Sequence, residues 1–537
     1  MKNKEPKAKK TNKFFSFFKS IGPVKHIFIV YILFTLIISL LLYWPITHTN
    51  DLKVIKPNFD YSDALFLASS AFSDTGLSTL AISKGFNGFG QAIIAIAIFV
   101  GGLGIFAIKV YVIQNIFGFK MSVFNSQVSQ TERGANTWGD TKKLIKVSIS
   151  FLLIVLVLAV ITFTLIFYFS PHGRFYNENI TTLNKTTIES EIADYAQANN
   201  VKEFQVFNPY ESELANPKGN LTLSLRYAVF HSISSLCNAG FDIFGSKSLQ
   251  PFYFDWYVQT FTIILIFIGG IGYPVIYDVY QKLVSLRKNK PRHRFNLFTK
   301  LTLITYLFVT VIGFLLTILF ETISKNPQSF WNQKQYGNTA QKIGSIFFQT
   351  VSTRSAGFTV VDYYHFSTQS IIVHAILMFI GFSPVSTAGG IRNITIAVIF
   401  LSIITMIRGK TKINAFKRQI GKETLIKAVN IFAIGVALIL IGVLITYSSY
   451  EHSGLHLNNV DYKQFDISHI TFEVCSAFGS SGLSTGLTSE LGLISKLLLI
   501  LYMFIGQLGI TQTILIWGKA NKRPDYYEYI YEDVSIG

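Results

Sequence analysis

Ser476-Ala-Phe-Gly-Ser-Ser-Gly-Leu-Ser-Thr-Gly486 stands directly before an apolar run long enough to enter a bilayer. Small, flexible, polar residues conflict there with the demand that backbone in hydrocarbon satisfy its own hydrogen bonds. The exception is backbone that is buried in protein or lines water. The fold therefore depends on whether this stretch is alone.

It is one of four. Of 537 residues, half are hydrophobic, 15% aromatic and only 14% charged. Eight nearly uncharged runs follow one another: Val24–Trp44, Gln91–Phe117, Leu144–Phe169, Trp256–Tyr277, Leu297–Phe320, Ile371–Ile407, Ala428–Tyr447 and Leu491–Trp517. Each is long enough to cross a bilayer, so the fold class expected is an all-α polytopic membrane protein with eight transmembrane helices. The first run follows a Lys-rich segment without a small-residue cleavage site, and reads as a retained helix. Alternate connections carry four shorter apolar stretches, Tyr61–Ser73, Leu221–Leu236, Gln341–Thr353 and Gln464–Phe478. These are too short to cross, and fit half-helices that enter and return.

The same kind of tetrad ends every half-helix. The four are Asp74-Thr75-Gly76-Leu77, Asn238-Ala239-Gly240-Phe241, Ser355-Ala356-Gly357-Phe358 and Ser480-Ser481-Gly482-Leu483. The chain thus divides into four units of outer helix, half-helix, Gly loop and inner helix around a central pore. Their expected bounds are 23–118, 143–285, 297–408 and 424–518, between a basic N-terminal segment 1–22 and a tail 519–537. In the third unit Gly381-Phe382-Ser383-Pro384-Val385-Ser386-Thr387-Ala388-Gly389-Gly390 interrupts the apolar run, and the loop 381–391 is expected to be non-helical, because Pro removes a backbone bond and glycines weaken a helix.

A cation leaving water needs oxygens in place of its hydration shell. Backbone carbonyls supply them without a strong fixed charge. Aiming successive carbonyls at one axis takes torsions that Gly tolerates, and one Gly in each of four loops suits a closed ring. The half-helices would point their partially negative C-terminal ends at the same path.

The net charge of +18 does not point to nucleic acid. Most Lys and Arg lie in one set of connections, Lys2–Lys25, Lys120–Lys146, Lys282–Lys300, Arg408–Lys427 and Lys519–Arg523, while the opposite set is mixed or acidic. The positive-inside rule then places both termini in the cytoplasm of a cell-membrane protein. Cys237 and Cys475 are too few for a disulfide scaffold and read as small buried residues. The abundance of Ile, Phe, Lys and Asn suggests an AT-rich bacterial genome.

With "DTGL", "NAGF", "SAGF", "SSGL" and the broken segment "SPVSTAGGIR", the chain resembles the superfamily of K+ transporters that includes TrkH, HKT and KtrB. The resemblance spans roughly Pro23 to Gly518. No two extra spans precede the first repeat, and the KtrB type, the membrane subunit of Ktr systems, is the nearest pattern. The resemblance implies K+ uptake, with Na+ as a further activating or co-transported ion and no covalent cofactor. It implies ion contact through the sixteen tetrad residues, with Gly76, Gly240, Gly357 and Gly482 as filter glycines. It also implies a gate below them formed by Gly381, Phe382, Ser383, Pro384, Ser386, Thr387, Gly389 and Gly390, with Gln507 beside it. Its implied partners are a second copy of the chain, a cytoplasmic ring of nucleotide-binding subunits of KtrA or TrkA type, and the bilayer. Three departures stand out. Gln507 replaces an Arg usual in the family, Phe382 and Val385 replace small residues, and Asp74 replaces a neutral one.

Two rival readings make different demands. Gly479-Ser480-Ser481-Gly482 matches the motif of intramembrane serine proteases, which would need Ser481 opposite His231 or His374. An alternating-access cation carrier usually has two inverted repeats, not four of like orientation, and places ionisable residues inward. Here Lys109, Asp278 and Lys496 lie near span ends where snorkelling suffices, and Arg392 edges the loop. Arg354, before the third tetrad, reads either as paired with a carboxylate to brace the filter or as facing outer solvent, and the brace is the reading preferred. Gly101–Gly104 and Gly269–Gly272 are read as helix-packing glycines. No ATP-binding or metal-protease motif is present, and the chain is not read as an enzyme.

Overall fold

A computed structural model describes residues 23–112, 138–169, 216–245, 247–287, 293–452 and 465–517, with a few positions of 190–198. The terminal segments 1–22 and 519–537, and most of the 113–137 and 170–215 connections, lie outside the described residues.

The outer helices of the four repeats are Pro23–Tyr43, Trp138–Phe169, Leu297–Ile323 and Lys422–His452. At 1.5 Å per residue even the 21-residue first helix spans roughly 30 Å. Their apolar side chains are turned outward: Leu40, Ile154, Leu307 and Leu444 are each more than half exposed, as a lipid-facing surface requires.

The half-helices are Tyr61–Phe72, Leu221–Cys237, Thr339–Ser352 and Ile467–Gly479. Each opens on an Asp or Asn N-cap, namely Asp60, Asn220, Asn338 and Asp466, whose side chain takes up an N–H that has no partner in the first turn. Each ends one to three residues before a residue in the left-handed region, Asp74, Asn238, Ser355 or Ser480, with φ between 45° and 72°. In repeats 1, 2 and 4 the next N–H reaches back five residues, from Thr75 to Ser70 O, Ala239 to Ser234 O and Ser481 to Ser476 O. This is the hydrogen bond of a Schellman stop. Repeat 3 is shifted by one residue, with Gly357 N–H on Ser352 O.

The inner helices depart from the sequence reading. Gln91–Phe117, Trp256–Tyr277 and Leu491–Trp517 are expected to be continuous, yet each breaks. Gly88–Leu103 and Ile105–Tyr111 meet at 82°, and Trp256–Gly270 and Tyr273–Arg287 at 96°. Leu493–Leu508 is separated from Ile510–Trp517 by one residue. The break residues are Gly104, Gly272 and Gly509, with φ of 85°, 82° and 89°. The glycine clusters therefore do more than pack. Gly101, Gly269 and Gly506 admit the half-helix carbonyls of Phe72, Leu236 and Phe478, each of which would stand about 2 Å from an added Cβ. Gly104, Gly272 and Gly509 turn the chain. By length and composition four described helices qualify as spans, and six if each bent pair counts as one. The inner runs of repeats 3 and 4 consist of shorter apolar helices, so the expected eight are not all met by that measure.

Every half-helix packs on its own outer helix and on the inner helix of the preceding repeat, the first closing onto the fourth. A buried clip marks that closure. Asp63 Oδ1 of the first half-helix accepts from Lys56 Nζ and from Lys496 Nζ of the fourth inner helix, both at 2.7 Å. Lys496 is 8% exposed and does not snorkel. Nor does Asp278, which is buried and accepts from Thr299 Oγ1 at 2.7 Å and Asn296 N at 3.0 Å, pinning the second inner helix to the third outer one.

Candidate functional site

The four tetrads meet. Gly76, Gly240, Gly357 and Gly482 have φ between 70° and 94°, where an L side chain is strained. A Cβ on Gly76 would lie 2.3 Å from Ala239 O, on Gly240 2.8 Å from Ala356 O, on Gly357 2.4 Å from Ser481 O, and on Gly482 2.0 Å from Thr75 O. Each glycine thus faces the carbonyl that precedes the glycine of the next repeat, and the sequence 1, 2, 3, 4 returns to 1. Thr75, Ala239, Ala356 and Ser481 are buried, and Leu77, Phe241, Phe358 and Leu483 anchor the tetrads in the core behind the ring.

The anchoring includes polar braces that the sequence reading did not single out. Glu473, in the middle of the fourth half-helix, accepts from Ser484 Oγ at 2.5 Å, Thr485 N at 3.0 Å and Thr488 Oγ1 at 2.9 Å. Gln349 of the third accepts from Val360 N at 3.1 Å, while Ser352 Oγ donates to Phe358 O at 2.6 Å. The local signal is a polar side chain six or seven residues before the tetrad, inside an otherwise apolar half-helix.

Outside the ring lies a vestibule of about 560 Å³, lined by all four glycines together with Lys56, Lys84, Lys247, Asp242 and Asp362. Asp242 follows the second tetrad in the loop outside the spans. Burial pushes its carboxyl up to about 7, against the opposing pull of the Phe244 N–H at 3.1 Å and of Ser248. Raising the pH through 7 therefore adds a negative charge at the mouth. If cations enter here, influx at low ionic strength rises about twofold between roughly pH 6 and pH 8, and the rise vanishes in high salt. A pH series on wild type and Asp242→Asn checks this, with the variant expected to be flat.

On the other side of the ring the segment Gly381–Gly390 separates Thr368–Phe379 from Asn393–Ile407 as an irregular loop. It reaches across two other repeats. Phe382 is fully buried against Gly270 and stacks on Tyr306 at 3.8 Å. Val385 O accepts from Tyr273 N at 3.3 Å, and Thr387 Oγ1 donates to Gly269 O at 3.4 Å. Ser383 and Pro384 lie against Gly272, while Ser386 Oγ donates to Ser383 O. On the far flank Gly389 and Gly390 abut Ser480 and Gly479. Arg392 donates to Ala388 O in the loop and to Gln507 O at 3.0 Å. Gln507 Nε2 in turn lies 3.4 Å from Asp74 Oδ2. Two of the three departures from the family pattern, Gln507 and Asp74, are therefore in contact, with the guanidinium of Arg392, the N-cap of Asn393–Ile407, beside them.

Among the described residues Arg354 has no carboxylate hydrogen-bond partner, contrary to the sequence expectation. Its Nη1 and Nη2 donate to Leu377 O at 3.1 Å and Gly381 O at 2.8 Å, and its guanidinium lies 5.6 Å from the Tyr306 ring. The carbonyls left unpaired where the third inner helix breaks attract a cation as a carboxylate would. Arg354 consequently ties the third tetrad to the start of the loop. The protease arrangement is not formed: Ser481 Oγ lies toward Thr353 O at 3.4 Å, His374 Nε2 pairs with Thr317 Oγ1 at 3.1 Å, and His231 Nε2 with Thr262 Oγ1 at 2.9 Å.

The chain is similar to known proteins. Residues 26–527 match the TrkH family model, described as a cation transport protein. An uncharacterised cation transporter of Mycoplasma genitalium is 32% identical over 96% of this chain and 97% of its own length. The Ktr system potassium uptake protein D of Bacillus subtilis is 28% identical over 98% and 99%. In fold, the potassium transporter TrkH from Vibrio parahaemolyticus matches with a TM-score of 0.61 at 15% identity, covering 96% of this chain and 87% of that one. With its apolar outer helices and its four converging glycine turns, this multi-pass membrane protein belongs to the TrkH family of cation transport proteins.

Proposed function

We propose that the chain takes up K+ across the plasma membrane through the glycine ring, which acts as a selectivity filter. The observation that supports this reading is the cyclic relation of glycine to next-repeat carbonyl, which sets main-chain oxygens of all four tetrads beside one another. Such oxygens replace the hydration shell of a monovalent cation, and the half-helix C-termini add partial negative charge around it. A cation would pass from the vestibule through the ring and meet the 381–390 loop, which acts as the gate. Na+ is a further ion, activating or co-transported. The Ktr-system name of the Bacillus relative supports a multi-component assembly. On this reading two copies of the chain sit on a cytoplasmic ring of nucleotide-binding subunits, with both termini on that side.

The deciding experiment is an electrical or isotope-flux measurement on the purified chain in liposomes, with K+ and Na+ on opposite sides. A reversal potential displaced towards that of K+ is expected. A potential indifferent to which cation is on which side, or transport only when a proton gradient is imposed, would reject the filter in favour of a carrier.

A further inference from the structure

A groove of about 330 Å³ runs between the first inner helix and the second half-helix. Gly88, Ala92 and Ala95 recur at helical spacing along one wall, and because they are small the slot stays open. Val229 and Phe230 form the deeper part of the other wall. The outward end is polar. There Arg226 directs Nε and Nη2 to Gln91 Oε1 at 3.2 and 2.7 Å, and Gln91 is itself held by donating Nε2 to Phe86 O at 2.9 Å. Nη1 carries two more donors. The flanks are lipid-facing, with Phe89 58%, Ile96 56% and Leu225 46% exposed.

An exposed guanidinium on a neutral amide lies about one and a half turns into a half-helix, near its N-terminal end. An apolar slot leads inward from it, so charge and shape together complement a lipid whose phosphate is anionic and whose chain is long. We infer that this groove binds an anionic phospholipid of the leaflet from which the half-helices enter. The phosphate lies on Arg226 and one acyl chain lies along Ala92, Ala95, Val229 and Phe230. The site is separate from the ion path and rests only on the membrane placement of these helices. A bound chain would wedge the first repeat against the second at the surface where their helices pack.

Native mass spectrometry of the full-length protein, titrated with phosphatidylglycerol or phosphatidylcholine of identical chains, tests the site. Wild type should retain phosphatidylglycerol about fivefold more tightly, the worth of one basic side chain at a membrane surface. Arg226→Gln should remove that preference and Arg226→Lys should keep most of it. Ala92→Trp, which leaves the guanidinium in place and fills the slot, should weaken both lipids, so the test does not depend on Arg226→Gln folding. Equal retention of the two lipids by wild type would overturn the inference, as would an unchanged preference in Arg226→Gln. Displacement of the lipid by millimolar inorganic phosphate would reduce the site to a free-phosphate one and overturn the lipid assignment. If Ala92→Trp altered the monomer–dimer ratio and not lipid retention, the groove would be a contact between copies, and the inference would fall.

Discussion

Gly482→Ala should lower K+ uptake on the order of a hundredfold in a K+-uptake-deficient strain, or leave uptake that no longer distinguishes K+ from Na+. Two effects add. At φ +82° an alanine pays roughly 1–2 kcal/mol for the left-handed region, and its Cβ would stand 2.0 Å from Thr75 O. The carbonyl is backbone on a tetrad closed by its own hydrogen bond to Ser70 O, so it cannot swing aside as the end of a side chain could. Either Thr75 O leaves the axis or the fourth tetrad withdraws, and both open the ring. Gly409→Ala separates the two effects. It has φ +64° with nothing within 4 Å of an added Cβ, so it pays the strain without the collision. Uptake by Gly409→Ala should stay within about twofold of wild type. If Gly482→Ala took up K+ normally and with normal selectivity, the ring would not be the filter.

The four tetrads and half-helices were legible because they depend on local chemistry. A short apolar stretch cannot span, an Asp or Asn caps it, and a glycine turn follows, all within about twenty residues. What stayed hidden depends on partners far along the chain. The sequence shows Arg354 as an unpaired charge, and only the fold brings the broken helix end of Leu377 and Gly381 against it. Lys496 near a span end reads as a snorkelling side chain, until Asp63, more than four hundred residues earlier, is seen to face it. The inner-helix breaks were missed for another reason. A single Gly in an apolar run costs a helix only ~1 kcal/mol, so Gly104, Gly272 and Gly509 do not force a break by themselves. Tertiary packing decides, and in repeat 2 the 381–390 loop occupies the space beneath Gly272.

Arg392 brings a guanidinium to the backbone of Gln507. A guanidinium on the fourth inner helix would stay fixed to a rigid element. Here the guanidinium sits at the N-cap of the helix that follows the loop, donating to Ala388 O in the loop and to Gln507 O on the fourth inner helix, with Asp74 nearby on the first tetrad. On the proposed reading, displacing the loop would withdraw the steric obstacle and, through the Arg392 bond to Ala388 O, pull on the charge that repels an entering cation.

Removing Phe382–Gly389 should therefore raise flux about tenfold and make it independent of cytosolic partners. The excision is geometrically mild. Ile380 and Ile391 are bridged side by side, Ile391 N donates to Phe379 O at 3.1 Å, and the Gly381 Cα faces Gly389 O closely enough that a Cβ there would collide. The loop is thus a side excursion pinched at its base, and Gly381 can be joined to Gly390 without dragging either helix far. What is lost is the buried Phe382 and its stack on Tyr306, about 3–5 kcal/mol by analogy with other buried aromatic truncations, so the deletion protein should melt earlier in detergent. The two readouts move in opposite directions, because the same contacts that hold the loop across repeats 2 and 4 stabilise the fold and obstruct the path. Phe382→Ala, which removes the stack and leaves the backbone, should give an intermediate gain in flux. A deletion protein that melts earlier yet transports at the wild-type rate, still under the control of its cytosolic partners, would show that the loop braces the bundle and gates nothing.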